Sequence, residues 1–184
     1  MQDGGAGRIV AAMNQNAMTS SSLISTVFRE AFRNHPAGVA IVTADPGDGP
    51  VAMTVSSLIS VSAEPPTVAF SISSASGSGP AMLRARTLVI HLLRFRNLEL
   101  ARMVSTRGAD RFGPGVAWER LPTGEPRYTE VATWFRAETV GVLPLEGASL
   151  LAARLIEGEV SAPDAAQTES LVYLDRRWHR LDGV

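Results

Sequence analysis

Val39-Ala-Ile-Val-Thr-Ala44, then Asp45-Pro-Gly-Asp-Gly49, then Val51-Ala-Met-Thr-Val-Ser-Ser-Leu-Ile59: this stretch decides the fold class. The first run is short and aliphatic, as a strand is. The next five residues hold Pro46, Gly47 and Gly49 between two aspartates, a strong turn. The run from Val51 is β-branched. Its odd positions are mostly apolar and its even positions small or hydroxylic until Ser57, the period of a half-buried strand.

Upstream, Ser21 or Ser22 can cap a helix to about Asn34 with an apolar face of Leu23, Val27, Phe28, Ala31 and Phe32. His35-Pro36 ends it, because the residue before proline avoids helical geometry. Residues 1–20 have no sustained period and read as a flexible extension, which leaves residues 21–184 as the domain. Downstream, Glu64-Pro65-Pro66 breaks the chain before a strand over Thr67–Ser73 and a Ser/Gly loop over Ser74–Gly79. Ser78-Gly79-Pro80 has the form of a helix start. A strand over Thr87–Leu93 follows, then a helix over Leu98–Val104 capped by Asn97. Residues 105–128 hold many Gly and Pro and read as one long loop. Strands return at Thr129–Val142, Leu150–Ser161 and Leu171–Leu181. Many short strands with few helices predict a closed β-barrel with helical insertions.

The 184 residues suit one domain, and a 45% hydrophobic content suffices for a full core. With 17 basic against 18 acidic residues there is no concentrated basic surface, which argues against nucleic acid or a membrane surface as partner. The absence of cysteine excludes disulfides, thiolate nucleophiles and cysteine metal sites. No apolar run nears the roughly 18 residues that span a bilayer. A cytoplasmic location is expected.

Familiar signatures are absent. No Gly-x-Gly-x-x-Gly follows a strand, there is no P-loop, and Ser76 and Ser78 do not form Gly-x-Ser-x-Gly. His35, His91 and His179 lie far apart with no ligand spacing, so no metal site is expected. What remains is a run of hydroxyls: Thr54, Ser56, Ser57, Ser60 and Ser62, then Ser71, Ser73, Ser74, Ser76 and Ser78. They suit solvent-facing strands and loops. The functional alternative is an anion or cofactor cradle beside a helix start at Ser78-Gly79-Pro80, with charge from Arg84 and Arg86.

His35-Pro-Ala-Gly-Val-Ala-Ile-Val-Thr43, Val51-Ala-Met-Thr-Val-Ser-Ser57 and Ser60-Val-Ser-Ala-Glu-Pro-Pro66 resemble, in order and spacing, the flavin reductase-like domain family. The likeness continues through Leu88–Leu93, Ala101–Phe112 and Leu171–Leu181, from about residue 25 to 182. The resemblance implies a mainly β fold, the FMN-binding split β-barrel with a few short helices, forming a homodimer with flavin near the subunit interface. It places Ala52, Met53 and Thr54 beside the isoalloxazine edge and Ser56 and Ser57 near the ribityl or phosphate part. Ser71, Ser73, Ser74 and Ser78 would complete the phosphate side. Val89 to His91 would offer backbone groups to the ring, and Arg111 and Phe112 would lie over it. Trp178 matches more loosely a position where the family accepts Tyr. One departure stands out: where many members carry Gly-Asp-His, the Asp and His positions hold Ala152 and Ala153.

The implied activity passes a hydride from NADH or NADPH to FMN or FAD. Such chemistry needs aligned rings more than a protein acid or base, so no catalytic side chain is expected. Family members often supply reduced flavin to a separate monooxygenase. Because the Asp-His pair is missing, two alternatives stay open: a flavin carrier or sensor without efficient reductase activity, or a barrel for another planar cofactor.

Overall fold

The computed structural model describes residues 22–160 and 169–181; the expected extension over residues 1–20 lies outside them. β2 (Ala40–Ala44) and β3 (Val51–Val55) pair antiparallel, Ala40 opposite Val55 and Ala44 opposite Val51. The turn between them is the one read from the sequence. Gly47 and Gly49 adopt φ of 109° and 110°, and both donate N–H to Asp45 Oδ1, at 2.9 and 3.2 Å. That left-handed geometry is what glycine permits.

The extended run from Val51 does not continue to Ile59. It stops at Val55, bends through Ser56, Ser57 and Leu58, and restarts as β4 (Ile59–Ala63). β5 (Pro66–Ser73), β6 (Thr87–Leu92), β9 (Thr133–Leu145) and β10 (Ala148–Val160) complete a seven-stranded antiparallel sheet, ordered β3-β2-β6-β9-β10-β5-β4. Its two edges, β3 and β4, are consecutive in the chain yet do not pair. The barrel is therefore split rather than closed. Ser57 bridges the seam: its hydroxyl accepts the Ser71 N–H at 2.9 Å, beyond the last β4–β5 partner.

One face of the rolled sheet encloses Ala40, Val42, Phe70, Ile72, Leu88, Ile90, Leu151 and Ala153. The opposite face buries Val39, Ile41 and Ala52 beneath Leu100, Ala101 and Val104 of α3 (Leu98–Ser105). β2 is buried along its whole length because it is covered on both faces.

Several expectations need correction. Asn97 precedes α3, but its side chain does not cap it. Its Oδ1 accepts the Arg94 N–H at 3.1 Å and its Nδ2 donates to Glu130 O at 3.3 Å. Within residues 105–128 lies a hairpin, β7 (Trp118–Arg120) with β8 (Pro126–Tyr128). The tail 171–181 is two strands, β11 (Ser170–Leu174) and β12 (Arg177–Leu181), reversed at Asp175 and Arg176 with φ of 49° and 58°. With β1 (Ala37–Gly38) they form a separate three-stranded sheet.

The chain divides into two units. The smaller holds α1, residues 22–33, and the turn at Leu174–Arg176, joined by the Asp175 N–H donating to Arg33 O at 2.8 Å. The expected stripe forms, with Phe28 and Phe32 in ring contact at 4.5 Å. Every residue of α1 is exposed.

Candidate functional site

Three segments of the larger unit converge on one cavity of about 490 Å³, within the range of small-molecule sites. β3 supplies Ala52, Met53 and Thr54. The loop from β5 to α2 (Gly79–Arg84) supplies Ser73 and Ala75 to Ser78. The end of α3 and the following loop supply Val104, Ser105, Arg107, Gly108 and Arg111.

Local chemistry explains the convergence. Ser78 stands at the N-cap of α2 but leaves the helix amides alone; its hydroxyl donates to Ala52 O at 3.0 Å and ties the loop to β3. Gly79 is pressed close: a Cβ there would meet Ile72 Cγ2 at 3.1 Å and Ser73 O at 3.3 Å. α2 has only six residues, so it contributes no helix-end site of the kind expected. Ser74 donates both N–H and hydroxyl to Gly147 O, at 3.0 and 2.9 Å, which fastens the loop to the β9–β10 turn.

The third wall is held from below. Arg111 Nε donates to Val104 O at 2.8 Å and Nη2 to Thr106 O at 3.2 Å, carbonyls at the open end of α3. Neither Arg111 nor Arg107 forms an ion pair among the described residues, and no carboxylate lines the cavity. The cavity is therefore electropositive. The Tyr128 hydroxyl donates to Arg111 O at 2.9 Å, and its ring stacks on Phe112 with centroids 5.6 Å apart and planes 4° apart. Trp118 Nε1 donates to Phe112 O at 2.8 Å.

Tyr128 is itself seated on His91, whose Nε2 accepts the Tyr128 N–H at 3.0 Å while Nδ1 lies 3.2 Å from Ile41 O. Those partners fix the tautomer: Nδ1 carries the proton. Complete burial, with a smaller contribution from Arg127, lowers the His91 pKa to about 4, against the pull of the Ile41 carbonyl. The ring is neutral near pH 7.

The structure thus gathers Ala52, Met53, Thr54, Ser73, Ser78 and Arg111 of the residues expected from sequence. Others fall elsewhere. Val89 and His91 are fully buried, and β6 pairs with β2 on one side and β9 on the other, so the strand has no free backbone groups for a ring. Phe112 packs in the core under α3 rather than on the cavity. Ser57 and Ser71 bond each other across the seam, and Ser74 lies on the turn side. Ser56 lines a second cavity of about 340 Å³ with Val39, Thr54, Val55, Ser105, Tyr173 and Trp178. Sequence reasoning did not single out Ser105, Gly108 or Tyr128; the family likeness over Ala101–Phe112 and the Gly/Pro-rich length of residues 105–128 were the signals that pointed to this region.

A family model described as the flavin reductase like domain matches residues 32–182. The chain belongs to that family. This flavin reductase-like protein is 34% identical over 161 residues to an NADH:FMN oxidoreductase of Rhodococcus erythropolis, covering 88% of this chain and 84% of that protein. It is 32% identical over 116 residues to a stachydrine N-demethylase reductase subunit of Rhizobium meliloti, covering 62% of this chain and 50% of that protein. Among solved structures, the flavin reductase domain protein of Arthrobacter sp. FB24 superposes with a TM-score of 0.80 at 30% identity, covering 87% of this chain and 97% of that one.

The residues present fit a flavin. The larger cavity offers hydroxyls and positive charge for a phosphate, lacks carboxylates that would repel one, and has the apolar Met53 and Val104 against which a ring can lie.

Proposed function

We propose that this protein is a homodimeric, cytoplasmic reductase that uses NADH or NADPH to reduce FMN or FAD and hands the reduced flavin to a separate monooxygenase. It is an NAD(P)H:flavin oxidoreductase. The observation that carries the reading is the one cavity uniting Ala52 to Thr54, Ser73, Ala75 to Ser78 and Arg111. Bound flavin supplies the redox chemistry by accepting a hydride from the reduced nicotinamide.

The chain's own contribution is orientation and charge. Ser73, Ser76 and Ser78 line the phosphate side. Arg111, held against the end of α3, and Arg107 would offer positive charge to a bound flavin, and a charge fixed in advance costs no reorganisation during reaction. Tyr128 and Trp118 hold the loop that carries Arg111. No lining side chain serves as an obvious acid or base, which suits ring-to-ring transfer. That one relative is the reductase subunit of an N-demethylase supports a separate partner enzyme. No described helix is long and apolar enough to cross a membrane.

Mixing the protein with NADH or NADPH and FMN or FAD anaerobically should bleach flavin absorbance near about 450 nm, a wavelength set by the cofactor. No bleaching with any pair would end the reductase reading. One observation favours the carrier or sensor alternative. Ala153, at the position where family members carry His, is fully buried inside the barrel and places no polar group in the cavity. Flavin retained through gel filtration without any nicotinamide oxidation would establish that alternative.

A further inference from the structure

We propose that the buried ion pair of Glu125 and Arg136 is a positioning pair for the flavin: acting through β8, it sets where Arg111 stands in the larger cavity. This rests on the reading that the larger cavity holds flavin. Neither residue of the pair lines that cavity.

Glu125 lies one residue ahead of β8 and is 3% exposed. Carboxylates are almost never so deep unless paired. Its Oε1 accepts the Arg136 Nε–H at 2.7 Å, and its Oε2 accepts the Thr123 hydroxyl. Burial pushes the Glu125 pKa up, but hydrogen bonds from Thr123, Thr87 and Arg136 outweigh it and hold the carboxyl below the usual carboxylate range. The buried group therefore stays charged. Arg136 stands mid-sheet on β9, opposite Val89 of β6 on one side and Glu157 of β10 on the other. Of the ion pairs among the described residues, this is the one with both side chains enclosed, Arg136 at 17% and Glu125 at 4% exposed. The hairpin has a second charged tie to the sheet, Arg120 to Asp45 at 2.7 Å, but there the arginine is 45% exposed. Exposed pairs hold little.

A short path leads from this anchor to the site. Pro126 O accepts the Thr43 hydroxyl of β2, and the Tyr128 N–H donates to His91 of β6. Tyr128 then donates its hydroxyl to Arg111 O. From Glu125 to Tyr128 is three residues, about 10 Å of extended chain with no slack. A shift at Glu125 is therefore passed to Tyr128 and on to Arg111. The bonds to Thr43 and His91 are neutral. The ion pair is the tie whose loss moves the strand, because removing one partner leaves the other charge buried and unpaired.

The test is a double-mutant cycle on the full chain, read by fluorescence titration with FMN. Glu125→Gln should weaken FMN binding about tenfold, within the range of coupling between linked sites. Arg111→Met should weaken it as well. In the Arg111→Met background, Glu125→Gln should have almost no further effect, because the group that it positions is gone. A merely structural role would give the same loss in both backgrounds. With flavin saturating, the kcat of Glu125→Gln should stay near that of the wild type, so that the loss falls on the KM for flavin. Glu125→Gln/Arg136→Met removes both charges and leaves none unpaired, and it provides a folded variant should the single change collapse. Its urea midpoint should lie near that of the wild type while FMN binding stays weakened. The proposal is overturned by unchanged FMN affinity in the folded variants, by equal losses with and without Arg111, or by an Arg111→Met form that binds FMN as tightly as the wild type. If FMN fails to bind the wild-type protein, the flavin reading of the larger cavity is what has fallen.

Discussion

His91 joins the strand at the centre of the barrel to the wall of the site, and it does so as a neutral ring. Its two nitrogens serve Ile41 on β2 and Tyr128 on β8, and no solvent reaches it. Protonating it would place an extra charge in the core and give Nε2 a proton that faces the Tyr128 N–H. The folded-state pKa of about 4 lies below the ordinary 6.5. Between those values the unfolded chain binds more protons than the native one, so this contribution is fully present above about pH 6.5 and is lost as pH falls toward 4. The shift corresponds to roughly 3 kcal/mol. Urea unfolding should give a lower free energy at pH 5 than at pH 7, and His91→Asn should flatten much of that dependence. An equal slope in the variant would mean that other groups carry it. From sequence His91 was a candidate for contact with the ring. Its strand was legible, but that both neighbours of the strand would be paired, and both faces covered, was not.

At the scale of elements, the loop bearing Arg111 depends on the β7–β8 hairpin. Tyr128 reaches that loop by one hydroxyl bond and one stacked ring. Tyr128→Phe keeps the stack and deletes the bond, leaving the Arg111 carbonyl without its partner. The expected loss is about 1 kcal/mol of stability, the usual worth of one hydrogen bond. Flavin affinity, read by fluorescence titration, should fall several-fold because Arg111 is no longer held in place. Unchanged affinity would show that this loop does not grip the cofactor. The hairpin was hidden in the sequence. β7 and β8 have three residues each and stand among glycines and prolines, which gives periodicity too little length to register. The reversal at Asp175 and Arg176 was hidden for a different reason: neither is the glycine that usually announces positive φ. By contrast, the β2–β3 turn was plain, because Asp45, Gly47 and Gly49 each have the chemistry their backbone positions require.

The whole molecule leaves one requirement unmet within a single chain. The far ends of β9 and β10 carry exposed Val142, Leu143, Leu145 and Leu150, and β4 adds Ile59 and Val61 on the edge of the same sheet. Large apolar patches are rarely left open on a monomer. We expect a second copy to cover it, since a twofold axis lets one patch serve both subunits. The arm is also wired to the site: Gly147 at its tip accepts both Ser74 bonds, and Ser74 continues into the loop that lines the larger cavity. Pairing of arms would therefore brace the phosphate side of the cavity. Light scattering on the eluting protein should give twice the 19.6 kDa chain mass. Leu143 and Leu150 face each other across the hairpin. Replacing both with aspartate should yield monomers and, through Gly147 and Ser74, weaken flavin binding about tenfold, the 1.4 kcal/mol that one braced contact can supply. A wild-type monomer at micromolar concentration would remove the dimer. A monomeric variant that binds flavin as tightly as the dimer would show that the arm and the cavity act independently.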